Sequence, residues 1–173
     1  WQDHTGFKNS PRLIQLTWVL LDSNKDEINS RREVVKPDGF LIPKDVSQIH
    51  GIDSDYAMRY GKEIEEILLS FENDCLEAKY LVSHNIKFNS KVLGSEFYWN
   101  FLRNPINNID LICTMELAAK YHHNTGNKYS YQNPKLTELY LELFREELTI
   151  SDNLSEVEAI AECFWKLRSN NEI

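Results

Sequence analysis

The sequence is poor in the residues that build linkers, disulfide frameworks and membrane spans. It contains 6 glycines and 5 prolines in 173 residues, too few for a linker-rich or disordered chain. Its 3 cysteines (Cys75, Cys113, Cys163) are far apart and form no Cys-x-x-Cys pair, which argues against zinc and favours a reducing, cytoplasmic compartment. No run of about 18 apolar residues occurs, so no membrane partner is expected.

Positive charge is also scarce. The chain has 19 Lys and Arg against 27 Asp and Glu, a net charge of −8, and its only basic doublet is Arg31–Arg32. Proteins that bind nucleic-acid duplexes through their phosphates usually present a basic face. Tight, charge-driven binding of nucleic acid is therefore disfavoured. Weak binding of a single-stranded end is still compatible with this composition, because a few contacts and stacking can hold such an end.

The hydrophobic pattern predicts an α/β domain. Short runs rich in β-branched and aromatic residues predict strands at Arg12–Asp22, Ile28–Lys36, Lys79–Ser83 and Asn108–Cys113. Apolar residues at helical spacing predict helices at Lys62–Leu76, Phe88–Leu102, Thr114–Tyr121, Lys135–Glu146 and Ser155–Arg168. Residues 122–134 are expected to form the longest loop. This order of elements predicts a mixed sheet flanked by helices.

Two burial predictions follow from the helical spacing. The helix at Phe88–Leu102 is expected to place Phe97 and Phe101 on its buried side. The last helix is expected to bury the Cys163 thiol, which lies in an apolar stretch.

The most informative segment is Leu81–Asn89, with the sequence LVSHNIKFN. An apolar strand ends at His84-Asn85, and a helix opens near Phe88-Asn89. Sheets of this class place ligand sites at the carboxyl ends of their strands. An ordinary turn from strand to helix would have the same pattern, so a structural and a functional interpretation of this segment both stay open.

Five segments, in order, resemble motifs of the DEDDh-type 3′–5′ exonucleases, the proofreading enzymes similar to the epsilon subunit of DNA polymerase III. No single segment is specific, but together they span nearly the whole chain. The resemblance implies an RNase H-like fold and one exonuclease-like domain over residues 1–173. The five are Trp1–Gly6 (the tail of Asp-x-Glu-Thr-Thr-Gly), Ile49–Ile52 (Ile-His-Gly-Ile), His84–Asn89 (His-Asn-x-x-Phe-Asp), Asn108–Leu111 (a strand with a structural aspartate) and Ser151–Phe164 (His-x-Ala-x-x-Asp-x-x-Ala-x-Ala-x-x-Phe).

The resemblance also implies a specific chemistry. In this family four carboxylates hold two divalent metal ions, which clamp the scissile phosphate. Oxygen ligands of this kind suit Mg²⁺ or Mn²⁺. A histidine serves as the general base for the attacking water.

Most of the implied catalytic positions carry other residues. Trp1 stands where the family has its first aspartate, and Asp3 stands where it has its glutamate. If the alignment slips by two residues, Asp3 takes the aspartate position instead, so only one of these two carboxylates is present. Asn89 replaces the aspartate of the middle motif. Glu156 takes the last aspartate position, and Ser151 takes that of the general base.

Charge decides the functional prediction. Asp3 and Glu156 offer two carboxylates where the family offers about four, so Mg²⁺ or Mn²⁺ is expected to bind weakly, if at all. We therefore predict a pseudo-exonuclease that binds a single-stranded 3′ end or a protein partner. Two alternatives stay open. One is a divergent, active exonuclease that uses Asp3 and Glu156 with one metal ion, and the other is a purely protein-binding subunit of a polymerase or repair complex.

The resemblance also places four residues at the nucleic acid: His50, His84, Asn85 and Phe88. For His50 a turn histidine bonded to nearby backbone is an equally good interpretation. In this fold the opening motif ends a central strand, whereas the sequence starts at Trp1. We therefore expect the natural protein to have residues upstream that complete this strand.

Overall fold

The computed structural model describes residues 10–124 and 134–169. The predicted α/β architecture is confirmed, and the elements lie close to their predicted positions. No helix among these residues is long and apolar enough to cross a bilayer. The elements are β1 (Gln15–Leu21), β2 (Glu27–Val34), α1 (Lys44–His50), α2 (Ser54–Tyr60), α3 (Ile64–Glu77), β3 (Tyr80–Ser83), α4 (Ile86–Trp99), β4 (Asp110–Cys113), α5 (Thr114–Asn124), α6 (Leu136–Phe144) and α7 (Asn153–Ser169).

The chain divides into two compact units. The first unit comprises Trp1–Lys79 and Ser90–Asn108, and the second comprises Tyr80–Asn89 and Ile109–Ile173. The antiparallel pair β1–β2 belongs to the first unit, and the parallel pair β3–β4 belongs to the second. Among the described residues these are two separate two-stranded sheets, one antiparallel and one parallel.

In the first unit, β1 packs on α3 through one tryptophan. Trp18 is buried and meets Phe71 edge-on, with ring centroids 5.5 Å apart. Its indole N–H donates a hydrogen bond of 2.6 Å to Asp74. The side chain of Asn29 on β2 donates to the same carboxylate at 2.8 Å. A single carboxylate therefore satisfies the buried indole and joins the hairpin to α3.

A second carboxylate in this unit is almost wholly enclosed. Glu96 on α4 is 1% exposed and accepts hydrogen bonds from Arg12 Nε at 2.9 Å, Arg12 Nη2 at 3.3 Å and the Leu13 N–H at 2.8 Å. The Arg12 guanidinium also lies over the rings of Phe40 and Trp99, at 4.5 and 5.0 Å from their centroids. This network fixes the segment that enters β1 against α4.

In the second unit, three helices enclose the core. Leu139, Cys163 and Leu167 are completely buried where α5, α6 and α7 meet. Val82 of β3 packs against the same cluster from the parallel strand pair. The core thus packs against β3, and it matches the apolar spacing of the predicted helices.

All three cysteines are buried free thiols. The predicted burial of Cys163 is confirmed, since that residue is 0% exposed. Burial raises the pKa of Cys75 and of Cys163 to about 12, and neighbouring carboxylates add to the effect. These two side chains therefore behave as small apolar groups at neutral pH.

The prediction that Phe101 is buried is wrong. Helix α4 ends at Trp99, and Phe101 adopts a left-handed φ of 55° with 97% of its surface exposed. The N–H of Leu102 bonds to the Phe97 carbonyl at 3.0 Å, and that of Phe101 bonds to the Tyr98 carbonyl at 3.2 Å. These two bonds form a Schellman motif, which turns the chain away before Phe101 can complete the buried stripe.

Two predicted boundaries also need correction. Helix α5 continues to Asn124, so the backbone of His122 and His123 belongs to its last turn rather than to a loop. Residues Pro105–Asn108 form a short 3-10 turn, so β4 begins at Asp110 rather than at Asn108. The proline and the three polar residues around Ile106 explain why this segment does not extend the strand.

Candidate functional site

The carboxyl ends of β3 and β4 meet at one edge of their parallel pair, where Ser83 lies opposite Cys113. Each strand is followed at once by a polar residue, His84 after β3 and Thr114 after β4. This is the place where sheets of this class put their ligands. The second unit therefore has polar residues after both strand ends, including the His84–Asn85 segment that the sequence singled out.

Asn85 makes the turn from β3 into α4. Its φ of 69° lies in the left-handed region, which asparagine tolerates better than most residues. Its carbonyl accepts hydrogen bonds from the N–H groups of Phe88 at 3.1 Å and Asn89 at 3.3 Å, which closes the first turn of the helix. Asn85 and Phe88 are both exposed, and Phe88 retains 52% of its surface.

His84 joins three segments of the second unit. Its Nε2 lies 2.8 Å from the Pro134 carbonyl, and its Nδ1 lies 3.0 Å from the Thr114 hydroxyl. A carbonyl can only accept, so Nε2 carries the proton and donates it to Pro134, while Nδ1 of the neutral ring accepts from Thr114. Thr114 is completely buried. Both ring nitrogens of His84 are thus used to hold the strand ends to the residue that leads into α6.

The environment of His84 favours the neutral ring. Burial lowers its pKa below the ordinary value of 6.5, and this effect outweighs the Pro134 carbonyl and the negative charge of Glu156, which both raise it. A neutral histidine whose two nitrogens are engaged is a structural support, with no lone pair left for a ligand.

Asn89 occupies the position of a carboxylate in the resembling motif, and its amide is engaged by its neighbours. Its Nδ2 donates to Ser83 Oγ at 2.6 Å and lies 3.4 Å from the His84 carbonyl oxygen. An ionised aspartate has no N–H to donate, so it could not bond to the His84 carbonyl and could contact Ser83 only by accepting the serine O–H. Asparagine at this position therefore strengthens the turn and contributes no charge.

The start of α7 holds the two residues of the closing motif. The Ser151 N–H and hydroxyl both bond to Ser155 Oγ, at 3.1 and 3.4 Å, and Asp152 accepts from the Ser155 N–H at 2.9 Å. Ser151 thus belongs to the hydrogen-bonded cap of the helix. Glu156 lies in the first helical turn, is exposed, and is close enough to His84 for its charge to act on that ring.

The described residues do not fit a pair of divalent cations. Within residues 10–124 and 134–169 no group of three or more His, Cys, Asp and Glu side chains is arranged to hold a metal ion. Glu156 is the one described acid at the resembling metal-ligand positions, and Glu116 is paired with Lys87 at 2.8 Å. Two dications need more anionic oxygens than this. Trp1 and Asp3 lie outside the described residues.

The predicted site residues that the structure describes do not all lie in the same unit. His84, Asn85, Phe88, Asn89, Ser151 and Glu156 all belong to the second unit, whereas His50 belongs to the first. His50 ends α1, and its Nδ1 accepts the Ile52 N–H at 3.1 Å across Gly51, whose φ is 72°. This is the backbone-bonded turn histidine that the sequence allowed as an alternative.

Sequence reasoning missed two residues of this cluster, Thr114 and Pro134. They lie 30 and 50 residues from His84, too far for any local pattern to connect them. One signal was available for Thr114, because it follows β4 directly, as His84 follows β3.

This chain is similar to known exonucleases. The exonuclease family model of RNase T type matches residues 4–147. E. coli exonuclease I in complex with a dT13 oligonucleotide superimposes with a TM-score of 0.73 at 16% identity, over 90% of this chain and 36% of that one. The nuclease domain of 3′hExo, a DEDDh family member bound to rAMP, gives 0.70 at 16% identity, over 94% and 86%. No curated protein matches.

Proposed function

The chain belongs to the RNase T exonuclease family and has the predicted DEDDh-type, RNase H-like fold, and from this premise we propose that it is a pseudo-exonuclease. In this proposal it keeps the scaffold, binds a single-stranded 3′ end or a protein partner, and does not hydrolyse phosphodiesters. It spans 36% of exonuclease I, so the activity of that whole protein is not transferred to it.

The hydrogen bonding of Asn89 is the observation that carries this proposal. A carboxylate position of a metal site must present a free anionic oxygen to the cation. Here the side chain is neutral and donates at 2.6 Å to Ser83. The amide nitrogen of Asn89 is therefore a donor within the turn, and its amide oxygen offers a metal ion no negative charge.

The closing motif supports the same conclusion. Ser151 stands in the position of the general base, yet a neutral hydroxyl has far too high a pKa to remove a proton from water near pH 7. Its hydroxyl is also engaged with Ser155. The family generally uses divalent metals, and in this chain Asp3 and Glu156 are the residues that could contribute to weak binding of one ion.

Similar proteins indicate what the scaffold could still bind. E. coli exonuclease I has been seen with oligonucleotides, exonuclease I has been seen with SSB-Ct, and 3′hExo has been seen with rAMP. Because oligonucleotides or a nucleotide are bound in several of these structures, we favour an end-binding function over a purely protein-binding one.

A nuclease assay tests the loss of catalysis. Labelled single-stranded DNA and RNA are incubated with the protein and Mn²⁺ or Mg²⁺, and no trimming is expected. Metal-dependent trimming that disappears in Glu156→Ala and persists in Glu158→Ala would overturn the proposal. Glu158 is a matched control because it is exposed on the same helix, two residues further on.

A variant that restores the family's residues at three positions provides a second test of the metal site. In the triple variant Asn89→Asp, Ser151→His, Glu156→Asp, Mn²⁺ binding measured by calorimetry should become tighter than in the unmodified protein. Micromolar binding of two Mn²⁺ ions by the unmodified protein would instead support an active, divergent exonuclease.

Binding of the 3′ end is tested separately. We expect retention of a single-stranded oligonucleotide at low salt, and weaker retention when a 3′-terminal phosphate blocks the end. Equal retention of both oligonucleotides argues against recognition of the end, and no retention of either favours the protein-binding alternative.

A further inference from the structure

Helix α2 presents two tyrosines that the fold does not bury. Tyr56 and Tyr60 are four residues apart and so lie on one side of the helix. Their rings touch, with centroids 4.9 Å apart and planes inclined by 47°. They keep 47% and 59% of their surface exposed. Large aromatic rings with this much exposed surface contribute little to the core and provide surface for a ligand.

A positive charge lies beside the rings. The Arg59 guanidinium is 5.4 Å from the centroid of the Tyr60 ring. Arginine and tyrosine in this arrangement offer both a π surface and a cation. We call Tyr56, Arg59 and Tyr60 together the α2 platform.

The helix beneath the α2 platform is fixed by other residues. Asp53 caps it, accepting the Tyr56 N–H at 2.7 Å. Ala57, the residue after Tyr56, is completely buried and packs with Ile42 and Ile52. The rings are therefore presented by a helix that does not depend on them, which reduces the ordering cost of binding.

We propose that the α2 platform stacks the bases of single-stranded nucleic acid. The proposal extends the proposed function and rests on its premise that nucleic acid is the ligand. Every nucleobase has a π face, so tyrosine stacking is tolerant of sequence, and the adjacent guanidinium can meet a phosphate. A chain with a net charge of −8 cannot rely on charge-driven contacts, and stacking gives it affinity that depends less on salt.

A comparison of two strands of equal charge tests this assignment. The probes are a fluorescein-labelled dT10 and an abasic strand of the same length, which has the phosphates but no bases. The unmodified protein should bind dT10 roughly tenfold more tightly, the lower part of the range for one stacked base. In Tyr56→Ala/Tyr60→Ala the two probes should bind alike.

Matched variants separate stacking from folding. Tyr56→Phe/Tyr60→Phe keeps both rings and should keep the preference for dT10. Met58→Ala removes a 52% exposed side chain from the same helix and should leave it unchanged. Because the tyrosines are exposed, all variants should melt within a few degrees of the unmodified protein.

Two results would overturn the α2 platform as a base-stacking site. One is an unmodified protein that binds dT10 and the abasic strand equally, and the other is a preference that survives in Tyr56→Ala/Tyr60→Ala. Its failure differs visibly from failure of the proposed function. If the protein discriminates free from blocked 3′ ends but binds dT10 and the abasic strand alike, the proposed function stands and the α2 platform is refuted. If it prefers dT10 but does not discriminate the ends, the α2 platform stands and end recognition is refuted.

Discussion

The first unit buries the carboxylate of Glu96, whereas the second unit leaves the carboxylate of Glu156 exposed. Glu96 is 1% exposed and accepts three hydrogen bonds, while Glu156 is exposed and acts on His84 only through its charge. The polar centre of the second unit is instead the neutral ring of His84, bonded on both sides. A carboxylate therefore holds the segment that enters β1 in the first unit, whereas a histidine and an asparagine hold the strand ends of the second.

The side chains that bond to one another at the ends of β3 and β4 carry no negative charge. In a catalytic member of such a family, carboxylates are held at the strand ends for metal ions. Here the residues at the strand ends bond to one another. The site is more stable without ligands than a set of converging carboxylates would be, because like charges at close range repel.

The largest expected effect is on Glu96. Glu96→Ala leaves Arg12 and the Leu13 N–H without their acceptor, so the free energy of unfolding should fall by about 3 kcal/mol, as for a broken buried ion pair with one partly exposed member. Glu156→Ala should change it by less than about 0.5 kcal/mol. Urea denaturation measures both. Similar losses in the two variants would contradict the comparison.

The next effect concerns His84. His84→Ala removes two hydrogen bonds and leaves the Thr114 hydroxyl and the Pro134 carbonyl without this partner, so we expect a loss of about 2 kcal/mol. Thr114→Val removes one of the two bonds and should cost about 1 kcal/mol. Both are read from the same urea transitions. A His84→Ala protein as stable as the original would show that the ring is not a support.

A smaller effect appears in the pH dependence. The folded pKa of His84 lies below its ordinary value of 6.5, so below that pH the unfolded chain takes up this proton more readily than the folded one. The stability that His84 provides is complete above pH 6.5 and declines as the pH falls towards the folded pKa. His84→Gln should therefore lose less stability than the unmodified protein between pH 7.5 and 5.5. An equal or larger loss would reverse the assigned direction.

The smallest effect isolates the charge of Glu156. Because that charge raises the pKa of His84, Glu156→Gln should lower it further. NMR titration of the imidazole measures the shift directly, and Glu158→Gln serves as the control on the same helix. An unchanged pKa in Glu156→Gln would place the carboxylate too far away to act on the cluster.

Local pattern was sufficient for most of the fold. The spacing of apolar residues predicted the last helix and the burial of Cys163, because a long amphipathic helix has only one face to bury. It failed at Phe101, where a Schellman motif ended the helix although the apolar pattern continued. Backbone hydrogen bonding at a helix end leaves no trace in hydrophobic periodicity.

The sequence indicated where the candidate site lies but not which hydrogen bonds its residues make. The sequence located the strand end at His84 and the substitution at Asn89, since both depend on neighbouring residues. It did not reveal that His84 bonds to Thr114 and Pro134, because those contacts depend on how distant segments meet. The role of Glu96 was hidden for the same reason, as its partners lie 83 and 84 residues earlier in the chain.

The burial of all three cysteines has a practical consequence for following this molecule in solution. Thiol-directed dyes and spin labels react with accessible thiolates, and Cys75 and Cys163 are both enclosed and held at a pKa of about 12. A cysteine introduced at an exposed position such as Phe101 would therefore be modified selectively with the native cysteines still in place. One such dye would report directly on whether the surroundings of Phe101 change when an oligonucleotide is added.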